Sequence, residues 1–133
     1  MDDEDLIRRT IAEYSHRCDD GRFDELCDLF TEDARLLGPG TVSEGREAIF
    51  GYLSTVQAEG RRGMHVTTNT LVDVHGGSAD AVTDYLFVRQ TPTGPGIVAA
   101  GRYHDRLLRG PDRWRFTERS ISMLGPADRG GDG

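Results

Sequence analysis

The side chains able to do chemistry in this sequence are few. Its four histidines, His16, His65, His75 and His104, are scattered and form no tight ligand pair, so no metal site is expected. The sequence holds no G-x-S-x-G, phosphate-binding loop, G-x-G-x-x-G or H-E-x-x-H pattern, and Gly94-Pro95-Gly96 is turn chemistry. All 16 basic residues are arginine. Schiff-base chemistry and a phosphate-loop lysine are thereby excluded. What remains is acid/base chemistry: a histidine working with a carboxylate and a tyrosine. Histidine moves a proton near neutral pH. A carboxylate on one imidazole nitrogen fixes its tautomer, and a tyrosine hydroxyl steadies an oxygen on which charge collects.

Such groups work only if secondary structure brings them together. In Asp5–Asp19, Leu6, Ile7, Ile11, Tyr14 and Cys18 recur at helical spacing. The acidic run Asp2–Asp5 suits the positive end of that helix, and Gly21 punctuates its far end. Phe23, Leu26, Cys27 and Phe30 predict a short second helix, and Arg46–Ala58 a third. Ala34–Leu37 reads as a short strand before the break at Gly38-Pro39-Gly40. The second half predicts strands over His65–His75, Ala79–Gln90, Ile97–Arg109 and Arg113–Leu124, joined by hairpin-length turns. Helices first and an antiparallel meander afterwards give an α+β fold, with helices packed on one face of a curled sheet. Gly101 sits mid-strand, where curling needs a small residue.

Strand parity puts Val66, Val72 and Val74 on one face and His65, Thr67 and Asn69 on the other. The polar face either meets water or lines a pocket, and parity alone does not choose. Trp114 and Phe116 share a face that reads as core or as a subunit interface.

Length and charge bound the answer further. The 133 residues fit one domain, 1–124, with residues 125–133 as a disordered tail. Hydrophobic residues make up 36%, enough for a core, and the net charge is −7. An acidic surface repels phosphate backbones, which disfavours nucleic acid and anionic membranes as partners. The N-terminus has no apolar leader core, and no run approaches the ~18 residues of a membrane span. Cys18 and Cys27 are too few for a disulfide scaffold and read as reduced core residues. A cytoplasmic location is expected.

Several segments, taken in order, resemble the SnoaL-like branch of the NTF2-like superfamily. Tyr14, Asp19, the turn Asp20-Gly21-Arg22-Phe23-Asp24 and Leu29-Phe30-Thr31-Glu32-Asp33-Ala34 look like its opening. His65-Val66-Thr67-Thr68-Asn69 is similar to its H-x-x-x-N strand. Gly101-Arg102-Tyr103-His104-Asp105, then Trp114-Arg115-Phe116 and Arg119, resemble its final hairpin. The likeness spans roughly residues 5–124.

The resemblance implies a cone-shaped, cystatin-type α+β barrel whose mouth is a mostly apolar pocket. Scytalone dehydratase, a bile-acid dehydratase and a dehydrochlorinase in this branch use an Asp–His pair for proton abstraction and elimination. By position these become Asp19 and His65, with Tyr14 matching an assisting tyrosine. Tyr52, Thr67, Asn69, Tyr103, Arg102 and Arg119 are candidates to contact the ligand. The implied activity is dehydratase or related lyase chemistry, without cofactor, on a hydrophobic oxygenated ring compound. Ketosteroid isomerase chemistry fits less well, because the segment Leu36-Leu37-Gly38-Pro39 lacks the base carboxylate. His104 and Asp105 could serve a cyclase-like variant instead.

Plainer readings stand beside these: Asp19 as a helix terminator, Tyr14 as core, His65 as a structural residue. Arg102 and Arg119 have Asp84, Asp105 and Glu118 available as structural ion-pair partners. The same fold also serves as a non-catalytic ligand-binding or assembly module. A homo-oligomer, dimer or trimer, is expected under either reading, since an apolar sheet face must be covered.

Overall fold

The computed structural model describes residues 1–125. The tail expected over residues 125–133 lies outside the described residues from residue 126 onward. The three α-helices are α1 (Asp3–Asp19), α2 (Phe23–Cys27) and α3 (Arg46–Val56), and a two-strand hairpin over residues 30–44 separates the second from the third. Among the described residues six strands form one sheet: β1 (Phe30–Gly38), β2 (Thr41–Glu44), β3 (Met64–His75), β4 (Ser78–Thr91), β5 (Gly94–Arg109) and β6 (Trp114–Met123). The spatial order is β2-β1-β6-β5-β4-β3. All pairings are antiparallel except β1 with β6. No helix is long and apolar enough to cross a membrane among the described residues.

Helix α1 starts where the Asp2 carboxylate accepts the Asp5 N–H at 2.8 Å, an N-cap backed by an acidic first turn. Its buried stripe, Ile7, Thr10, Ile11, Tyr14, Ser15 and Cys18, has helical period. That stripe meets residues of the sheet's inner face, Ala81, Tyr85, Tyr103, Leu107, Trp114 and Phe116, in one hydrophobic cluster. Trp114 and Phe116 are therefore core, not interface. Tyr14, Phe30 and Phe116 meet mutually, with centroids 5.2 to 6.2 Å apart, each pair adding about 0.5–1.5 kcal/mol beyond area burial. Cys18 and Cys27 are buried and free.

The sequence-based expectations fail in three places. The second helix ends at Cys27, and Phe30 opens a strand instead. Phe30 pairs with Phe116 across the parallel β1–β6 seam, so a long-range partner overrides its helical spacing. Strand β2 was not expected; it buries only Ser43 and has too little alternation to read. The third error concerns β3. A bulge between Thr68 and Leu71, with Asn69 at φ 55°, reverses the strand's parity. Val66 pairs with Leu86 on the outer face, whereas Val72 and Val74 pair with Ala81 and Ala79 on the inner one. Asparagine tolerates this left-handed backbone better than most residues.

Candidate active site

Asp19 is the last residue of α1. The helix stops there because Gly21 takes φ 71°, closing Gly21 N–H onto Cys18 C=O (3.1 Å) and Arg22 N–H onto Arg17 C=O (2.8 Å). A carboxylate at a helix C-terminus faces the negative end of the dipole, so Asp19 needs compensation. His65 supplies it. The His65 backbone N–H donates to both carboxylate oxygens, at 3.0 and 3.2 Å, and ring Nδ1 lies 2.6 Å from Oδ1. Strand β3 is at the sheet edge, which leaves that N–H free for a side-chain acceptor.

With Asp19 ionised, Nδ1 carries the proton and donates it to Oδ1. The other ring nitrogen, Nε2, is then an unprotonated acceptor, with no hydrogen-bond partner among the described residues. The ring packs against Phe87, centroids 4.6 Å apart, which holds its plane. The two side chains are mostly covered, 8% exposed for His65 and 16% for Asp19.

His65 lines an internal cavity whose other walls include Tyr14, Cys18, Tyr52, Gln57, Tyr85 and Tyr103. Its volume is about 30 Å³, room for roughly two water molecules. A ring-sized ligand enters only if a wall moves. Burial pushes the Tyr14 and Tyr103 hydroxyls well above the usual phenol range, and that of Tyr85 up to about 12. All three stay protonated as donors at neutral pH. Tyr85 donates to Met123 Sδ at 2.8 Å and stacks on Tyr103, centroids 4.5 Å apart. Gly101 is crowded from both sides: a Cβ there would lie 2.3 Å from the Ser122 backbone oxygen and 2.7 Å from Tyr85 Cε1. The mid-strand glycine is required by this close approach.

The other candidates separate. Tyr14, Tyr52 and Tyr103 line the cavity with His65. Thr67 shares the inner face and pairs with Tyr85, yet it is not in the cavity wall. Asn69 and Arg102 are corrected to the outer face. There Arg102 Nε donates to Asp84 Oδ1 at 2.6 Å, and Asn69 donates to Asp84 Oδ2 at 3.3 Å. The bulge moved Asn69; strand parity on β5 moved Arg102, which alternates with the inward Tyr103. Arg119 is fully buried behind the cavity wall. It is paired with Asp105 at 2.8 and 3.1 Å and stacked 3.6 Å from the Tyr103 ring centroid and 4.2 Å from that of Tyr14. Burial pushes the Asp105 carboxyl up, and Arg119 pulls it part of the way back. His104 and Asp105 do not form a pair, because adjacent strand residues face opposite sides.

Sequence reasoning missed Tyr85, Phe87 and Gln57. The alternation Ala81, Thr83, Tyr85, Phe87 on β4 carried a readable signal for the first two; Gln57, just past α3, had none. A wider open groove, about 570 Å³, runs along the outer side of the sheet past Asp84, Arg102 and His104. Its size does not make it the better site, since Asp84 is already neutralised there by Arg102. Among the described residues no three His, Cys, Asp or Glu side chains converge as a metal site.

A family model described as SnoaL-like domain matches residues 1–120. The chain belongs to the SnoaL-like family. Its fold is the NTF2-like, cystatin-like one seen in solved structures. A variant of a Mycobacterium tuberculosis protein of unknown function is 28% identical, covering 92% of this chain and 72% of its own, with TM-score 0.82. A Catenulispora acidiphila protein solved with the small molecule S-DNPA is 25% identical, covering 90% and 92%, with TM-score 0.80. A Novosphingobium aromaticivorans protein provisionally named scytalone dehydratase is 24% identical, covering 95% and 87%, with TM-score 0.80; that likeness carries the fold alone. A comparison with curated proteins finds no match.

Proposed function

We propose that this SnoaL-like domain is a cofactor-independent acid/base enzyme of the dehydratase or related lyase type. Its substrate is a small hydrophobic ring compound bearing a hydroxyl β to a carbonyl. One observation carries the reading: Asp19 holds His65 Nδ1 at 2.6 Å and leaves Nε2 unpartnered in a cavity walled by tyrosines. In the reaction Nε2 removes the proton α to the carbonyl. The C–H electrons form the double bond, and the β C–O bond breaks. The imidazolium returns its proton to the departing hydroxyl, water leaves, and neutral His65 is restored. Asp19 balances the charge of the transient imidazolium. Tyr14 donates to the carbonyl oxygen, on which negative charge builds. Walls this apolar strengthen each of these contacts.

The test is solvent deuterium exchange at the α-carbon of a panel of cyclic β-hydroxy ketones, followed by NMR alongside alkene formation. The wild type should exchange and eliminate, and His65→Gln should lose about 10²–10⁴-fold. Equal rates in both proteins would sink the proposal.

The small cavity favours a second reading, a non-catalytic assembly module. Exposed Met64, Val66, Leu71, Ile97 and Val98 on the outer side would then serve as a contact surface. Sedimentation of the purified chain, alone and with copurifying proteins, separates the two: a stoichiometric foreign subunit supports the module, a dimer or trimer of this chain does not.

A further inference from the structure

The chain leaving Asp19 and the chain entering His65 meet a second time, through Arg62. Gly21 comes two residues after Asp19, and Arg62 three residues before His65. The Arg62 guanidinium lies against Gly21: a Cβ there would be 2.3 Å from Cζ, 2.5 Å from Nη1 and 2.6 Å from Nη2. Three atoms of one plane at nearly equal distances place the flat face of the head group over the glycine, where any side chain would collide with it. The head group is held from two further sides. Its Nε donates to Gln57 C=O, at the end of α3, at 3.0 Å, and its Cζ stands 5.6 Å from the centroid of the Phe23 ring on α2. Its charge is felt one residue from Asp19: burial and the Asp19 carboxylate push the Cys18 thiol up, and Arg119 and then Arg62 pull it down.

We infer that Arg62 is a positioning residue: it holds the end of α1 against the start of β3 so that the Asp19 carboxylate stays on His65 Nδ1. The contacts close a small ring. One end is the set of Asp19–His65 hydrogen bonds, the other is Arg62 on Gly21, and the stretches 19–21 and 62–65 join them. Stretches of two and three residues reach at most about 7 and 11 Å, so the fit at one end limits movement at the other. A planar guanidinium can cover the glycine and donate from Nε at once, which a compact ammonium cannot. This role in proton transfer rests on the reading of His65 as the base. Once Asp19 drifts from Nδ1, nothing fixes the tautomer, and a proton on Nε2 blocks the nitrogen that takes the substrate proton.

The test is nitrogen NMR of His65 in the intact protein without substrate, so it needs no turnover. Wild type should show the Nδ1–H form, with that proton exchanging slowly with water. Arg62→Met, which keeps an unbranched stem and removes the planar head, should mix the two tautomers and speed the exchange about tenfold, the effect of losing one ordinary hydrogen bond. Arg62→Lys should follow the Met variant and not wild type. Amide shifts of β5 and β6, remote from Arg62, report whether each variant is folded. Arg62→Gln, whose amide can still donate to the Gln57 carbonyl, takes the place of a Met variant that does not fold, with the same change expected. A folded variant with an unchanged His65 signal overturns the inference, however much its stability has fallen, and so does full restoration by lysine. Mixed tautomers already present in wild type overturn both this role and the reading of His65 as a poised base. An intact wild-type signal without elimination of water from any substrate sinks the catalytic reading alone and leaves the positioning by Arg62 standing.

Discussion

Two acid–base pairs stand in this fold, one across the β5–β6 seam under α1 and one between the end of α1 and strand β3, and they are built to opposite ends. Asp105 and Arg119 are both 0% exposed, joined by two parallel hydrogen bonds and caged by Tyr14, Tyr103 and Phe116. Asp19 and His65 are also close, but their pair ends on a cavity, with one ring nitrogen unclaimed. The arginine cannot give up its proton, so its pair holds shape. The histidine can, so its pair can move a proton. Burial alone does not mark a working group; burial with one face left open does.

The comparison breaks first at the sealed pair. Arg119→Met should cost about 3–5 kcal/mol by leaving the Asp105 charge buried alone, read as a fall in the urea midpoint. Replacing both residues by apolar ones should recover much of that loss. If the single variant is as stable as wild type, the pair is not the structural lock described here.

Asp19→Ala should cost less, about 1–3 kcal/mol, by orphaning the His65 N–H and ring Nδ1. Its second signature sharpens the contrast: nitrogen NMR should find the His65 proton redistributed between the two ring nitrogens. The Arg119 variant should leave that tautomer unchanged wherever it stays folded.

Cys18 lies within electrostatic reach of both pairs and reports on each. Its thiol is pushed up to about 12, by burial first and by the Asp19 charge next, while Arg119 pulls it down. Native Cys18 should therefore resist alkylation at pH 8. Asp19→Asn removes a negative charge, lowers the thiol pKa and should speed alkylation. Arg119→Met should slow it further. The opposite signs are the check.

The smallest effect belongs to a pair in water. A hydrogen bond from Arg115 holds the exposed Asp112 carboxyl down at about 2. A depressed carboxylate stabilises the fold above its unfolded value near ~3.9, and that contribution fades as pH falls through about 2. Asp112→Asn should flatten the stability profile over that window only, by less than either pair above.

Much of this molecule was legible before folding. The stripe of α1, its stop at Asp19-Asp20-Gly21 and the four-strand meander follow from period and turn chemistry, which are local. The mid-strand Gly101 was visible as a curl point, although its reason, the close approach of the Ser122 carbonyl and the Tyr85 ring, lies on the two neighbouring strands. The bulge at Asn69 was not legible: one extra residue reverses parity, and no composition signal fixes where it falls. That single residue accounts for placing Asn69 in the pocket and Val72 opposite His65. Phe30 was misread because a parallel partner far along the chain outweighs helical spacing. Gln57 carries no pattern at all.

By itself the sequence determined the long first helix, the strand meander of the second half, the acidic lysine-free composition and the residue types available for proton transfer. It named Asp19 and His65 only through resemblance, since the spacing between them has no physical content. Tertiary structure decided which charges are sealed and which face the cavity. The reason is geometric: hydrogen bonds act within about 3 Å, and only the packing of α1 against the edge strand β3 brings a helix-end carboxylate within that reach of a strand histidine.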